Sequence, residues 1–152
     1  MKNQNLYIFD RCYNDIKSDL SIYSCNLITN LKNAVLDFNN ISLLKNERNN
    51  MSKVVKEGTK NSKYANLDYK VLKYDKDLDL SVLKILLHTG RHHQIRVQLA
   101  SRGHSIYGDQ KYGGRGHGKQ ITLWAYSLTI LHPITKEKME FKAIPQKIGS
   151  WK

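Results

Sequence analysis

The residue types best suited to chemistry are concentrated between Leu86 and Ala100. This stretch holds three histidines and two arginines around a Thr-Gly pair. Arginine binds carboxylates and phosphates through paired hydrogen bonds, and histidines four positions apart are a spacing found in metal sites. The stretch therefore suggests anion binding, with metal binding as the alternative.

Arg96 is predicted to lie on a helix from about Arg91 to Ser101, with Thr89 as its cap and Gly103 as its C-terminal stop. Apolar side chains at helical spacing would anchor this helix in the core, so Arg96 should be partly buried. A buried guanidinium needs an anionic partner, either a carboxylate or a phosphate. The backbone N–H groups of the first turn, with Arg91 beside them, would suit an RNA phosphate.

A metal site is not expected from these histidines. His88 and His92 have the spacing, but His88 should precede the helix, and no cysteine or supporting carboxylate lies close by in the sequence. Cys12 and Cys25 form no metal-binding or disulfide pattern.

The surrounding sequence is strongly basic. Only one acid, Asp109, lies between Lys84 and Lys119, and Tyr107 and Tyr112 are interleaved with the cations. The seven cations are Lys84, Arg91, Arg96, Arg102, Lys111, Arg115 and Lys119. Cations with aromatic faces are typical of an RNA-binding surface, although a solvated charged loop gives the same composition.

The elements around this stretch predict an α+β fold with a mostly antiparallel mixed sheet and few helices. Residues 67–74 and 80–87 read as a β-hairpin around an acidic turn. Residues 121–131 and 139–143 read as strands around the turn at 132–135. Residues 20–43 leave two possibilities open, a helix around 27–37 or short strands.

Composition fits a small basic protein with an atypical N-terminal part. The 152 residues have a net charge of +12 and 40% apolar residues, so we expect one domain and a polyanionic partner. No signal peptide or membrane segment is visible, which predicts a cytoplasmic protein. All thirteen asparagines precede residue 67. We therefore predict an Asn-rich leader over 1–42, followed by a second part over 43–152.

Several motifs give the chain a resemblance to a known family. They are TGRHHQIRVQLA at 89–100, GHSIYGD at 103–109 and KYG at 111–113, flanked by LLKNERNN at 43–50, LWAYSL at 123–128, HP at 132–133 and FKAIP at 141–145. Together they resemble the C-terminal half of the catalytic domain of RluA-type RNA pseudouridine synthases, over about residues 43–145.

The resemblance implies an isomerase that converts uridine to pseudouridine in ribosomal or transfer RNA, without metal or organic cofactor. The target base would be flipped out of its stack, and a catalytic aspartate would act in detaching it before it is rejoined through carbon. Arg96 corresponds to the family arginine that pairs with this aspartate. The residues predicted to bind RNA are Arg91, His92, His93, Lys111, Tyr112, Arg115 and Lys119.

The catalytic aspartate has no clear counterpart in this sequence. The family's His-Arg-Leu-Asp motif and its later Lys-x-Tyr segment are not legible, and Asp10, in Phe9-Asp10-Arg11, is the nearest candidate. We therefore expect a truncated, frameshifted or degenerate copy whose sheet exposes an edge or apolar surface. The alternative function is an inactive RNA-binding remnant. The sequence does not indicate an oligomeric state.

Overall fold

Two antiparallel sheets and one helix make up the computed structural model, which describes residues 22–29, 36–38, 41–113 and 120–144. In chain order the elements are β1 (Ile22–Thr29), β2 (Ile41–Asn46), β3 (Met51–Val55), β4 (Lys63–Ala65), β5 (Leu67–Asp75), β6 (Leu80–Leu87), α1 (Gln94–Ala100), β7 (Leu123–Leu131) and β8 (Lys138–Lys142). The larger sheet has the order β5-β6-β1-β7-β8, and the smaller sheet has the order β3-β2-β4. The predicted α+β class is confirmed, and every strand pairing in the described ranges is antiparallel.

The predicted hairpin is formed by β5 and β6, whose alternating side chains explain it. Leu83, Ile85 and Leu87 are buried at every second position of β6, as expected for a strand with one face on the core. The turn is closed by Asp75, whose Oδ1 accepts hydrogen bonds from the backbone N–H groups of Asp77 at 3.0 Å and Leu78 at 3.1 Å. An aspartate that bonds the backbone two residues ahead is a common turn device.

Of the two possibilities for residues 20–43, a helix or short strands, the structure shows a strand over residues 22–29. β1 lies at the centre of the larger sheet, where Leu27 is fully buried and pairs with Leu83 of β6 and Leu123 of β7. The predicted boundary between residues 42 and 43 stays a prediction, although β1 is integral to the sheet.

One core cluster takes side chains from both sheets and from α1. Ile95, Val97 and Leu99 are buried in the same cluster as Leu27 and Leu43, so the helix joins the two sheets. As predicted from the sequence, Ile95 and Leu99 anchor it.

The outer strands of the larger sheet, β5 and β8, expose apolar side chains, as the sequence predicted. Leu72 in β5 is 50% exposed and Phe141 in β8 is 49% exposed. Within the described ranges no helix has the length and apolar character needed to cross a bilayer.

Candidate functional site

The turn that leads into α1 is held by hydrogen bonds that the sequence did not suggest. The helix begins at Gln94, three residues later than predicted, and Thr89 is not its cap. Instead the Thr89 hydroxyl accepts a hydrogen bond from the Asn66 N–H at 2.8 Å and donates one to Gln94 Oε1 at 2.8 Å. Gln94 Oε1 also accepts the N–H of Arg91 at 2.9 Å. The side-chain oxygen of Gln94 therefore closes the turn, because it accepts both the Thr89 hydroxyl and the Arg91 N–H.

The predicted phosphate site at the start of the helix stays a prediction, and one of its N–H groups is already used. The helix has only seven residues, and its first N–H, that of Gln94, donates to the Arg91 carbonyl at 2.9 Å. The residue just before it, His93, has a left-handed backbone with φ of 53°. The C-terminal end of the helix is as predicted. Gly103 follows the helix and ends it, with a φ of 79°.

Arg96 has a carboxylate partner, which is one of the two alternatives that the sequence left open. Its Nε donates to Asp109 Oδ2 at 2.9 Å and its Nη2 donates to Oδ1 at 2.7 Å. The Asp109 side chain is fully buried, while 21% of the Arg96 side chain is exposed. This pair ties α1 to the loop over residues 105–113. Asp10 lies outside the described residues, so its pairing with Arg96 stays a prediction.

The Asp109 carboxylate is stabilised in its charged form. Burial by itself would raise its pKa, but hydrogen bonding and charge from Arg96, together with the N–H groups of Tyr112 and Lys111, hold the pKa below its usual 3.8. Those two N–H groups donate to Oδ1 at 3.1 and 3.0 Å. Asp109 therefore holds α1 and the loop over residues 105–113 together.

The Tyr112 hydroxyl joins three segments of the chain. It accepts the backbone N–H of Ser52 in β3 at 2.7 Å and lies 2.9 Å from Nδ1 of His93. The Tyr112 ring also faces the guanidinium of Arg96, with 5.2 Å from Cζ to the ring centroid. The hydroxyl keeps its own proton, so it donates to His93 Nδ1 when the ring proton is on Nε2, and it accepts from Nδ1 when the ring proton is there.

His93 is held neutral by its surroundings. Burial first, and then the positive charges of Arg96, His92 and Lys111, lower its pKa from 6.5 to about 3. A neutral ring at this position is what the hydrogen bond from Tyr112 requires. His93 is therefore not a cation for RNA phosphates at neutral pH.

His92 lies against His93, with 3.8 Å between ring centroids. Its Nδ1 is 2.9 Å from Ser52 Oγ, and the same hydroxyl donates to the His92 carbonyl at 2.9 Å. A hydroxyl has one proton, so while it donates to the carbonyl the ring nitrogen donates to it.

Among the residues predicted to bind RNA, two arginine or lysine side chains lie in the described part of the chain. Both reach the smaller sheet and its turns. Arg91 Nε donates to the carbonyl of Tyr64 in β4 at 2.7 Å, and Lys111 Nζ donates to the carbonyl of Asn50 at 2.6 Å. The structure thus gathers five of the predicted RNA-binding residues beside the smaller sheet. They are Arg91, His92, His93, Lys111 and Tyr112. Arg115 and Lys119 lie outside the described residues.

Sequence reasoning missed Ser52, Asn66 and Gln94. Ser52 is small and polar within a basic hairpin, and nothing in its neighbours marks it. The signal for Gln94 was its position five residues after Thr89, which is within reach of a turn hydroxyl. In the described part of the chain no group of three or more histidines, cysteines or acids is placed to hold a metal ion.

A model of one protein family matches the sequence over residues 11–101, under the description RNA pseudouridylate synthase. The chain belongs to this family. The match spans β1 to β6 and α1, including the Arg96 helix, and stops before the Asp109 loop.

Curated relatives of the chain carry names of the same kind. It is 39% identical over 93 residues to an uncharacterized RNA pseudouridine synthase of Aquifex aeolicus, covering 55% of this chain and 29% of that protein. It is 41% identical over 76 residues to ribosomal large subunit pseudouridine synthase D of Haemophilus influenzae, covering 40% and 24%. With the dual-specificity RNA pseudouridine synthase RluA of Escherichia coli it shares 37% over 86 residues, covering 53% and 38%. The matched regions span well under half the length of these relatives.

A solved structure shows the same fold. The human RNA pseudouridylate synthase domain containing 1 protein aligns with a TM-score of 0.66 and 22% identity, over 94% of this chain and 61% of that one. This likeness shows the fold of the chain.

Proposed function

We propose that this chain acts as an RNA pseudouridine synthase on ribosomal or transfer RNA, in the cytoplasm. Family membership, given by the match over residues 11–101, is the observation that carries the reaction class. The basic site supports the partner: Lys111 and the His93 and Tyr112 rings lie where α1 and the Asp109 loop meet β3, and Arg91 lies against β4 of the same sheet. Cations and rings together suit RNA phosphates and unstacked bases.

The reaction is an isomerisation of uridine that conserves every atom. The bond from the ribose to the base nitrogen breaks, the base rotates, and a new bond forms from the ribose to a base carbon. The proton leaving that carbon is balanced by one gained at the freed nitrogen. No external oxidant or reductant is required.

We assign the role of catalytic carboxylate to Asp10 and that of its positioning residue to Arg96. Arg96 uses Nε and Nη2 for Asp109, so its second terminal nitrogen retains N–H groups for another acceptor. The buried pair with Asp109 would fix the guanidinium while it meets that second carboxylate.

Pseudouridine formation tests this function directly. The chain is incubated with ribosomal and transfer RNA transcripts, and the nucleosides are separated after digestion. We expect product with the wild-type chain, none with Asp10→Asn, and wild-type amounts with Asp77→Asn, which changes an exposed acid in the β5–β6 turn. No product at high protein concentration, with RNA still bound, would instead identify an RNA-binding protein without this activity.

The RNA partner is tested by the salt dependence of binding. If cations neutralise phosphates, affinity falls steeply as salt rises. The double variant Arg115→Ala with Lys119→Ala should lower the slope by about 1.4 on single-stranded RNA, since each contact contributes roughly 0.7. Lys70→Ala with Lys76→Ala removes the same charge from the β5–β6 hairpin and should leave the slope unchanged. A flat wild-type profile would argue against RNA as the partner.

A further inference from the structure

The smaller sheet has one face on the core and one face pointing away from it. Strand register places Leu43 and Ala65 on the core side, where both are buried. Side chains at alternate positions point to opposite faces, so Lys53, Tyr64 and Leu44 share the other side. We call this side of β2, β3 and β4 the outer face.

The segment that forms this sheet is strongly basic. Residues 41–65 contain six cations and only two acids, Glu47 and Glu57. The cations, all with exposed side chains, are Lys45, Arg48, Lys53, Lys56, Lys60 and Lys63. One of them, Lys45, is paired with Glu47 at 2.7 Å. Lys53 lies on the outer face, Lys45 and Lys63 lie on the side of Leu43, and Arg48, Lys56 and Lys60 lie outside the strands. A local excess of positive charge complements a polyanion.

The outer face also carries an aromatic ring among apolar side chains. Tyr64 is 46% exposed. It lies opposite Ser42 of β2, and Ser42 lies opposite Val55 of β3. Lys53 is exposed next to Leu44, which is half-buried. An exposed ring can stack a nucleobase, and a lysine two strands away on the same face can contact a phosphate of the same stretch of RNA.

The outer face meets the candidate site at the edge strand β4, whereas Ser52, which bonds His92, lies on the core side of the sheet. The Tyr64 carbonyl accepts the hydrogen bond from Arg91 Nε, and the Asn50 carbonyl in the β2–β3 turn accepts from Lys111. A strand of RNA that contacts Arg91 would therefore reach Tyr64 within a nucleotide or two.

We propose that the outer face binds a single-stranded stretch of RNA next to the target uridine, with one base stacked on Tyr64 and phosphates contacted by Lys53. This rests on the proposed function for the choice of RNA as ligand. Charge and the exposed ring together favour RNA over an acidic protein, because an acidic protein surface would not require the aromatic ring.

The test uses a fluorescein-labelled, 12-nucleotide single-stranded RNA and the full chain. Tyr64→Leu keeps an apolar side chain on β4 and removes the aromatic plane, so affinity should fall about 5- to 150-fold, the usual range for one lost base stack. Phe141→Leu removes a similarly exposed ring from β8 and should leave affinity unchanged.

Charge is tested separately with Lys53→Gln, which should lower the salt slope by about 0.7, and with Lys70→Gln as a control on β5. Thermal unfolding of each variant shows whether it is folded. Equal affinities for Tyr64→Leu and Phe141→Leu, or an acidic protein that binds in a Tyr64-independent manner while RNA does not bind, would overturn the proposal. Loss of pseudouridine formation alone overturns only the proposed function, since the Tyr64 effect is measured on binding.

Discussion

Arg96 and Asp109 form a two-point ion pair, at 2.9 and 2.7 Å, that joins the only described helix to the loop following it. The carboxylate is fully buried and is satisfied from two sides, by the guanidinium and by two backbone N–H groups. The same guanidinium lies over the Tyr112 ring. Removing either partner therefore leaves a buried group uncompensated.

The first prediction concerns this pair. Arg96→Ala should lower the free energy of unfolding by about 3–5 kcal/mol, because it leaves the Asp109 charge buried and unpaired. Arg102→Ala is the matched control: Arg102 lies over the Phe38 ring and donates to backbone carbonyls, so its loss should cost about 1 kcal/mol. Urea unfolding measures both. Equal, mild effects would show that Arg96 is an ordinary surface charge.

The second prediction concerns pH. The pKa of His93 is about 3 in the folded chain against 6.5 ordinarily, so the unfolded state binds more protons between these values. Stability should therefore decline as pH falls from about 6.5 toward 3.

His93→Asn tests this cause, since asparagine tolerates φ of 53° and can accept from the Tyr112 hydroxyl, but does not titrate. Urea unfolding at pH 7, 6, 5 and 4 should show a shallower decline for the variant. Parallel curves for variant and wild type would assign the acid sensitivity to other groups. Asp109 adds its own loss only below about pH 4, because its pKa is depressed and its stabilisation is lost as pH falls through the folded value.

The third prediction concerns the Tyr112 hydroxyl. Tyr112→Phe keeps the ring beneath Arg96 but leaves the Ser52 N–H and His93 Nδ1 without their partner, which should cost about 1–3 kcal/mol. Tyr74→Phe removes an exposed hydroxyl that bonds Asp79 and should leave stability nearly unchanged. Chemical unfolding of the two variants compares them, and similar values would mean that the Tyr112 bonds contribute nothing beyond an exposed one.

The fourth prediction concerns the glycine before Asp109. Gly108 has φ of 80°, and an added Cβ would come within 1.9 Å of the Gln120 carbonyl oxygen. Gly58 has φ of 79° with nothing within 4 Å, so Gly58→Ala carries the backbone strain alone, about 1–2 kcal/mol. Gly108→Ala should cost a further 1–3 kcal/mol or so from the clash. Thermal unfolding midpoints decide this, and equal midpoints would mean that the loop moves away from Gln120 freely.

The β5–β6 hairpin was predictable because its information is local. Leu83, Ile85 and Leu87 alternate with outward residues, and Asp75 marks the turn. Gly103 likewise marked the helix end by its own backbone freedom.

The start of the helix was not predictable by the same means. Thr89 is a good cap residue by type, but its hydroxyl is taken by the Asn66 backbone more than twenty residues earlier in the chain. Such a bond depends on which strands come together, and local preference carries no record of it.

The partner of Arg96 was predictable in part. The demand for an anion followed from burial alone, and Asp109 was the only acid between Lys84 and Lys119. The nearness of Asp109 in the sequence was a signal that was not used, and Asp10 was the only aspartate proposed as a partner of Arg96.

The central position of β1 has a consequence for synthesis on the ribosome. Leu27 leaves the ribosome early, yet it pairs with Leu83 on one side and Leu123 on the other. At about 5–20 residues per second, the second partner follows roughly 5–20 s later. During that interval β1 has an unpaired edge open to other chains. Crowded translation should therefore favour aggregation of nascent chains that have not yet produced β7.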